Sequence, residues 1–119
     1  MELKLNVSAL SSDSLIIPLT SEFLTDIIFW ALIDSGSSHC FIDSKFVSKH
    51  SIPTKPIPPI TLQLFDGSSN STITYMISLP IWFLTGESFD IDFYVTPLDH
   101  LCSTVLEYNW LTHYNPLID

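Results

Sequence analysis

The sequence predicts a mostly β domain with one or two short helices. Three features carry that prediction: stretches of alternating polarity, apolar runs rich in β-branched and aromatic residues, and clusters of turn formers between them. The chain has 119 residues, 46% of them hydrophobic and only 14% charged, which argues for a packed core and against disorder. Residues 1–119 are expected to form a single domain. So few charges leave little to keep a surface soluble, and a large surface buried against a second chain is expected.

In chain order, "LKLNVSAL" alternates, with Leu3, Leu5 and Val7 on one face. "LIIPLT" follows, then "DIIFWALID", whose apolar run over 27–33 predicts burial. Asp43 stands where it would cap a short helix that turns Phe46 and Val47 inward. The proline-dense "IPTKPIPPI" predicts an extended connection, because proline lacks an N–H and biases the residue before it away from the helical region. "TLQLF" alternates again and meets Asp66-Gly67-Ser68-Ser69-Asn70-Ser71, a run of turn formers. "TITYMISLPIWF" and "FDIDFYVTP" read as two strands joined around Thr85-Gly86-Glu87-Ser88. "STVLEY" is one more strand, and "NWLTHYN" a short helix ended by Pro116.

Charge and motif content exclude several classes. The formal charge of −9 comes from 13 acidic residues against 4 lysines and arginines. Binding a phosphate backbone needs cationic side chains, so no nucleic acid partner is expected, and an anionic membrane surface is disfavoured for the same reason. No basic region followed by an apolar core and a cleavage site opens the chain, so no signal peptide is read. The longest apolar run, 27–33, falls far short of the roughly 20 residues a membrane helix needs. Cys40 and Cys102 are too few for a disulfide scaffold and are expected as free buried thiols. The glycosylation patterns at Asn6 and Asn70 are expected to be silent in an intracellular, cytoplasmic setting.

The chemistry centres on "ALIDSGSS", residues 31–38. A carboxylate that closes an apolar run is costly to bury unless paired or hydrogen-bonded. Asp34 is therefore either a structural anchor at a strand end or a reactive group. Other chemistries fit the segment poorly. A serine-hydrolase elbow needs G-x-S-x-G, and Gly36-Ser37-Ser38-His39-Cys40 lacks the second glycine. Cys40 sits in no Cys/His nucleophile signature. His39, Cys40, His100 and Cys102 lack the C-x-x-C regularity of structural zinc sites, so no metal is expected.

Asp34-Ser35-Gly36-Ser37 at the end of an apolar strand resembles the D-[ST]-G-[AS] catalytic loop of aspartic proteases. "LQLFDGSSNSTITYMISLPI" has the character of the flap hairpin of that family, with Asp66-Gly67 opening the turn. "TVLEYNWLTHYNPLID" is similar to the V-L-G-x-x-W-L-x-x-x-N-P-x-I-D ending of proteases from gypsy-type LTR retrotransposons. Together the resemblance runs over residues 29–119. It implies a closed β-barrel-like retropepsin fold with half an active site per chain. Two copies would pair as a homodimer, and two Asp34 carboxylates would activate a water to hydrolyse a peptide bond. By the same resemblance, Ser35 would brace the paired loops and Gly36 with Ser37 would shape them. Ser37, Ser38, Gly67, Ser68, Ser69 and Asn70 would contact an extended peptide or polyprotein segment, bound as an added strand. No cofactor is implied.

One position departs from that pattern. Glu107 stands where the family has a glycine close to the catalytic loop, where a side chain needs room and adds a carboxylate. Impaired catalysis, assembly or stability is expected, unless Glu107 points outward. Two readings of function follow: an active homodimeric aspartic endopeptidase, or a catalytically impaired module of the same fold that dimerises or binds peptides. A plain β-barrel binding domain unrelated to proteases would leave the ordered landmarks as coincidence. Met1 and the stop after "NPLID" are expected of an isolated domain, a transposon remnant or a recruited copy.

Overall fold

The computed structural model describes residues 2–5, 15–34, 39–64, 71–83, 86–98 and 102–107. Among them are the strands β1 (Glu2–Leu5), β2 (Leu15–Ser21), β3 (Leu24–Asp34), β4 (Phe41–Asp43), β5 (Lys55–Leu64), β6 (Ser71–Phe83), β7 (Ser88–Thr96) and β8 (Thr104–Glu107), with one helix, α1 (Ser44–Lys49). The expected helix over "NWLTHYN", Val7 of the first strand and the turn at 65–70 lie outside the described residues. No helix among the described residues is long and apolar enough to cross a membrane.

Six strands close on themselves in the order β6-β2-β3-β8-β4-β7, with β7 returning to pair with β6. This is the mostly β, closed barrel-like fold the sequence predicts. β5 pairs with the first half of β6 outside the ring, and β1 lies parallel to the end of β5. Alternation sets the wall: in β7, Ile91 and Phe93 are buried while Asp90 and Asp92 are exposed. The inward residues of all six strands, including Leu19, Phe29, Ala31, Ile42, Ile77, Ile81, Phe93 and Leu106, form one buried cluster. A second cluster lies across the wall from it, where Leu32, Phe41 and Val105 meet Leu62, Ile73, Leu98 and Cys102.

The two clusters correct the expectation of a wholly buried run at 27–33. Ile28 and Trp30 are exposed, at 61% and 47%. A barrel strand buries one face inside; the outer face is covered only where the second cluster reaches, at Leu32. The proline-rich stretch is also more regular than an extended connection, for Lys55, Pro56 and Ile60 pair with β6. The ladder skips between Pro56 and Ile60, where Pro58 and Pro59 have no N–H to give. Pro80 is tolerated because β6 there pairs with β7 alone, between the end of β5 pairing at Met76 and the start of β2 pairing at Trp82. The β6–β7 turn needs its glycine, since Gly86 has φ 95° while its N–H donates to the Phe83 carbonyl at 2.9 Å.

Cys40 and Cys102 are buried thiols not joined in a disulfide, and they belong to different clusters. Burial pushes the Cys102 thiol above the usual thiol range. The fold therefore favours the neutral thiol. That contribution is complete below the pKa of the unfolded thiol and is lost as pH rises from there towards the folded value. Urea unfolding is expected to show stability falling above about pH 8.5. Cys102→Ala should flatten that slope, and an unchanged slope would contradict the assignment.

Candidate active site

β3 carries the chain from Leu24 to Asp34 and delivers the Asp-Ser-Gly at its end. The strand is straddled there by both clusters: Ala31, Leu32 and Ile33 are all buried. Its neighbour is β8, which runs parallel with Ala31 opposite Thr104, Leu32 opposite Val105, Ile33 opposite Leu106 and Asp34 opposite Glu107. Thr104, Val105 and Leu106 are buried as well. Position 107, singled out in the sequence, thus stands in the ladder directly beside the candidate catalytic aspartate.

Specific bonds hold β8 in that register. The Trp30 carbonyl accepts the Ser103 N–H at 3.0 Å and the Thr104 hydroxyl at 3.3 Å. From the other side, the Asp43 N–H donates to the Ser103 carbonyl at 2.8 Å. The Asp43 carboxylate accepts the Leu98 N–H at 3.0 Å. This corrects the sequence reading of Asp43. It occupies the N-cap position of α1 but makes no side-chain cap bond, because its oxygen is used on the segment leading to β8.

The registers also show what else reaches this end of the barrel. β4 runs antiparallel to β8, with Phe41 opposite Val105, so Phe41 is level with Leu32. His39 stands two residues before Phe41, in a bend that leads into β4. β3 and β4 are separated by two strand spacings, about 10 Å. On the far side of β4, Phe41 is opposite Tyr94 in the parallel β7, and the Tyr94 N–H donates to the Cys40 carbonyl at 3.0 Å. Asp92 lies two residues before Tyr94 in β7, and Ser78 of β6 is opposite it. The ladders thus set residue 107 beside Asp34, and β4 and β7 follow two and three strands round the wall from β3.

Beside His39 the wall opens into a cleft of about 290 Å³, lined among others by Met76, Asp90, Asp92 and Tyr94. His39 and Tyr94 meet edge to face, with ring centres 5.6 Å apart. The Ser78 hydroxyl donates to the Asp92 carboxylate. Sequence reading did not single out Asp90, Asp92 or Tyr94. "DIDFY" does put them on one face of a strand, yet nothing local says that residue 39 lies next to them. The other predicted site residues, Ser35, Gly36, Ser37, Ser38, Gly67, Ser68, Ser69 and Asn70, lie outside the described residues. No group of three or more metal-binding side chains occurs among the described residues.

A closed barrel whose third strand ends at Asp34, the first residue of the Asp-Ser-Gly in the sequence, beside the short parallel strand β8, defines a retropepsin-like protease domain. Solved structures share the fold. The retroviral protease-like domain of Ddi1 from Leishmania major superposes with a TM-score of 0.61 at 17% identity, covering 87% of this chain and 78% of that one. A retropepsin-like aspartic protease from Rickettsia conorii gives a TM-score of 0.50 at 17% identity, covering 82% and 77%. More particularly, the chain belongs to the PEG10/RTL1 protease domain family, whose model matches residues 30–119. No curated protein matches the sequence.

The role given to Asp43 is testable. Asp43→Ala leaves the Leu98 N–H without its acceptor and should lower stability by about 1–2 kcal/mol in urea titration. Helical circular dichroism of the folded chain should be unchanged; a loss of helix signal instead would return Asp43 to the capping role.

Proposed function

We propose that the chain is an aspartic endopeptidase that works as a homodimer. The observation that carries this reading is the single Asp-Ser-Gly at the end of β3, in a retropepsin-like barrel that has one such motif and hence one carboxylate to contribute. Two Asp34 side chains, one from each copy, would share a proton, because like charges about 3 Å apart cannot both ionise readily. The ionised carboxylate takes a proton from water as the water oxygen attacks the scissile carbonyl carbon. The protonated one donates to the carbonyl oxygen. The tetrahedral intermediate then collapses, the C–N bond breaks, and the leaving nitrogen takes a proton from the dyad. In this scheme Ser35 braces the paired loops, Gly36 and Ser37 shape them, and residues 67–70 close over an extended substrate.

A second reading is favoured by one observation, the register that sets Glu107 beside Asp34. An added carboxylate there opposes ionisation of the dyad, and a homodimer doubles it. On this reading the domain keeps its fold and binds peptides or a second copy without efficient turnover.

Cleavage of a randomised peptide library, followed by mass spectrometry, separates the two. Under the first reading the native chain cuts, and Asp34→Asn lowers the rate by about a hundredfold or more. Under the second, the native chain cuts weakly and Glu107→Gly raises the rate by roughly tenfold or more, with dimer content followed by sedimentation. Cleavage that survives Asp34→Asn would overturn the aspartic mechanism. A Glu107→Gly chain unchanged in both rate and assembly would remove the impaired reading.

A further inference from the structure

We propose that the cleft beside His39 is a subsite for a basic side chain of the substrate peptide. The inference rests on the reading of Asp34 as the reacting centre, and it adds the chemistry of what the site prefers. Three properties of the cleft point to a lysine or arginine.

Its position comes first. Going round the wall from β3, the cleft begins two strands away, at His39 just ahead of β4, crosses β7 and reaches Met76 on β6. At about 4.8 Å per strand and 3.3 Å per extended residue, an extended peptide crossing the strands from Asp34 reaches β4 and β7 in about three or four residues. The cleft is thus placed for a side chain at that remove from the scissile bond.

Its size and lining come second. About 290 Å³ lies just below the roughly 300 Å³ at which small-molecule pockets begin, and suits one long side chain. Met76 and Tyr94 face each other across the β6–β7 ladder and offer apolar and aromatic surface to an alkyl stem.

The third property is charge. Asp90 and Asp92 sit two residues apart on the outer face of β7, and both line the cleft. Ser78 fixes the Asp92 carboxylate by donating to it. Among the described side chains, Lys45, Lys49 and Lys55 are not in the lining. A ligand that carries its own positive charge on a long apolar stem completes such a site. A glutamate or aspartate there would meet like charge.

The test uses short apolar peptides that differ only in carrying lysine, norleucine or glutamate at one position, scanned along the sequence. Binding is read by fluorescence anisotropy on the full-length Asp34→Asn chain, and cleavage by mass spectrometry on the native chain. At one peptide position the lysine form should bind about two- to fivefold tighter than norleucine, the worth of an exposed ion pair, and glutamate should bind weakest. The double variant Asp90→Asn/Asp92→Asn, checked for folding by circular dichroism, should erase the lysine preference, and Asp92→Glu should retain it. The double variant Glu22→Gln/Glu87→Gln removes the same charge elsewhere and should leave the preference in place. Equal binding of lysine and norleucine peptides, no binding of either, or a preference that survives loss of both aspartates would overturn the proposal. Lysine preference without any cleavage keeps the subsite and removes the protease reading; Asp34-dependent cleavage without lysine preference does the reverse.

Discussion

The parallel pairing of β3 with β8 is the constraint on which the rest of the structure depends. Parallel neighbours need a crossover, and here nearly everything between them, β4 through β7, is that crossover. Closing so long a loop costs chain entropy and yields contacts only late in folding. Burial offsets the cost: Ala31, Leu32 and Ile33 on one strand and Thr104, Val105 and Leu106 on the other are covered on both faces. A strand packed from both sides has one register, since a slip by one residue would exchange the inner and outer clusters. The position of Asp34 relative to residue 107 is therefore a property of the whole barrel rather than of its own loop.

The same topology brings acidic residues onto neighbouring strands. Asp34 and Glu107 stand side by side on β3 and β8, and Asp90 and Asp92 lie on β7, with β4 between. In a chain of net charge −9, acidic residues so placed attract cations. Charge links the two proposed readings of function. On those readings, acidity beside a shared-proton dyad works against turnover, whereas acidity three strands away, in a cleft with an apolar lining, works for selection of substrate.

Much of the fold was legible because strand alternation is local. "FDIDFYVT" declares its inner and outer faces without reference to any partner, and Asp34 stood out as the one charge closing an apolar run. What was not legible depended on neighbours. Ile28 and Trp30 look as buried as Phe29 in the sequence, and only the reach of the second cluster separates them. Asp43 has the composition of a helix cap, but the Leu98 N–H, 55 residues away, competes successfully for its oxygen. The cleft joins residue 39 to residues 90–94, and no periodicity within either segment records that β4 and β7 are adjacent. Glu107 could be flagged from a family pattern; that it lies opposite Asp34 is a statement about register.

The central claim is that one chain supplies one catalytic carboxylate and that two chains must meet to work. Mixing native chain with Asp34→Asn chain, at constant total concentration and after exchange, tests it directly. If each site needs an Asp34 from both copies, cleavage falls with the square of the native fraction. Cleavage that falls only in proportion to the native fraction would show that each chain acts alone, and would contradict the account.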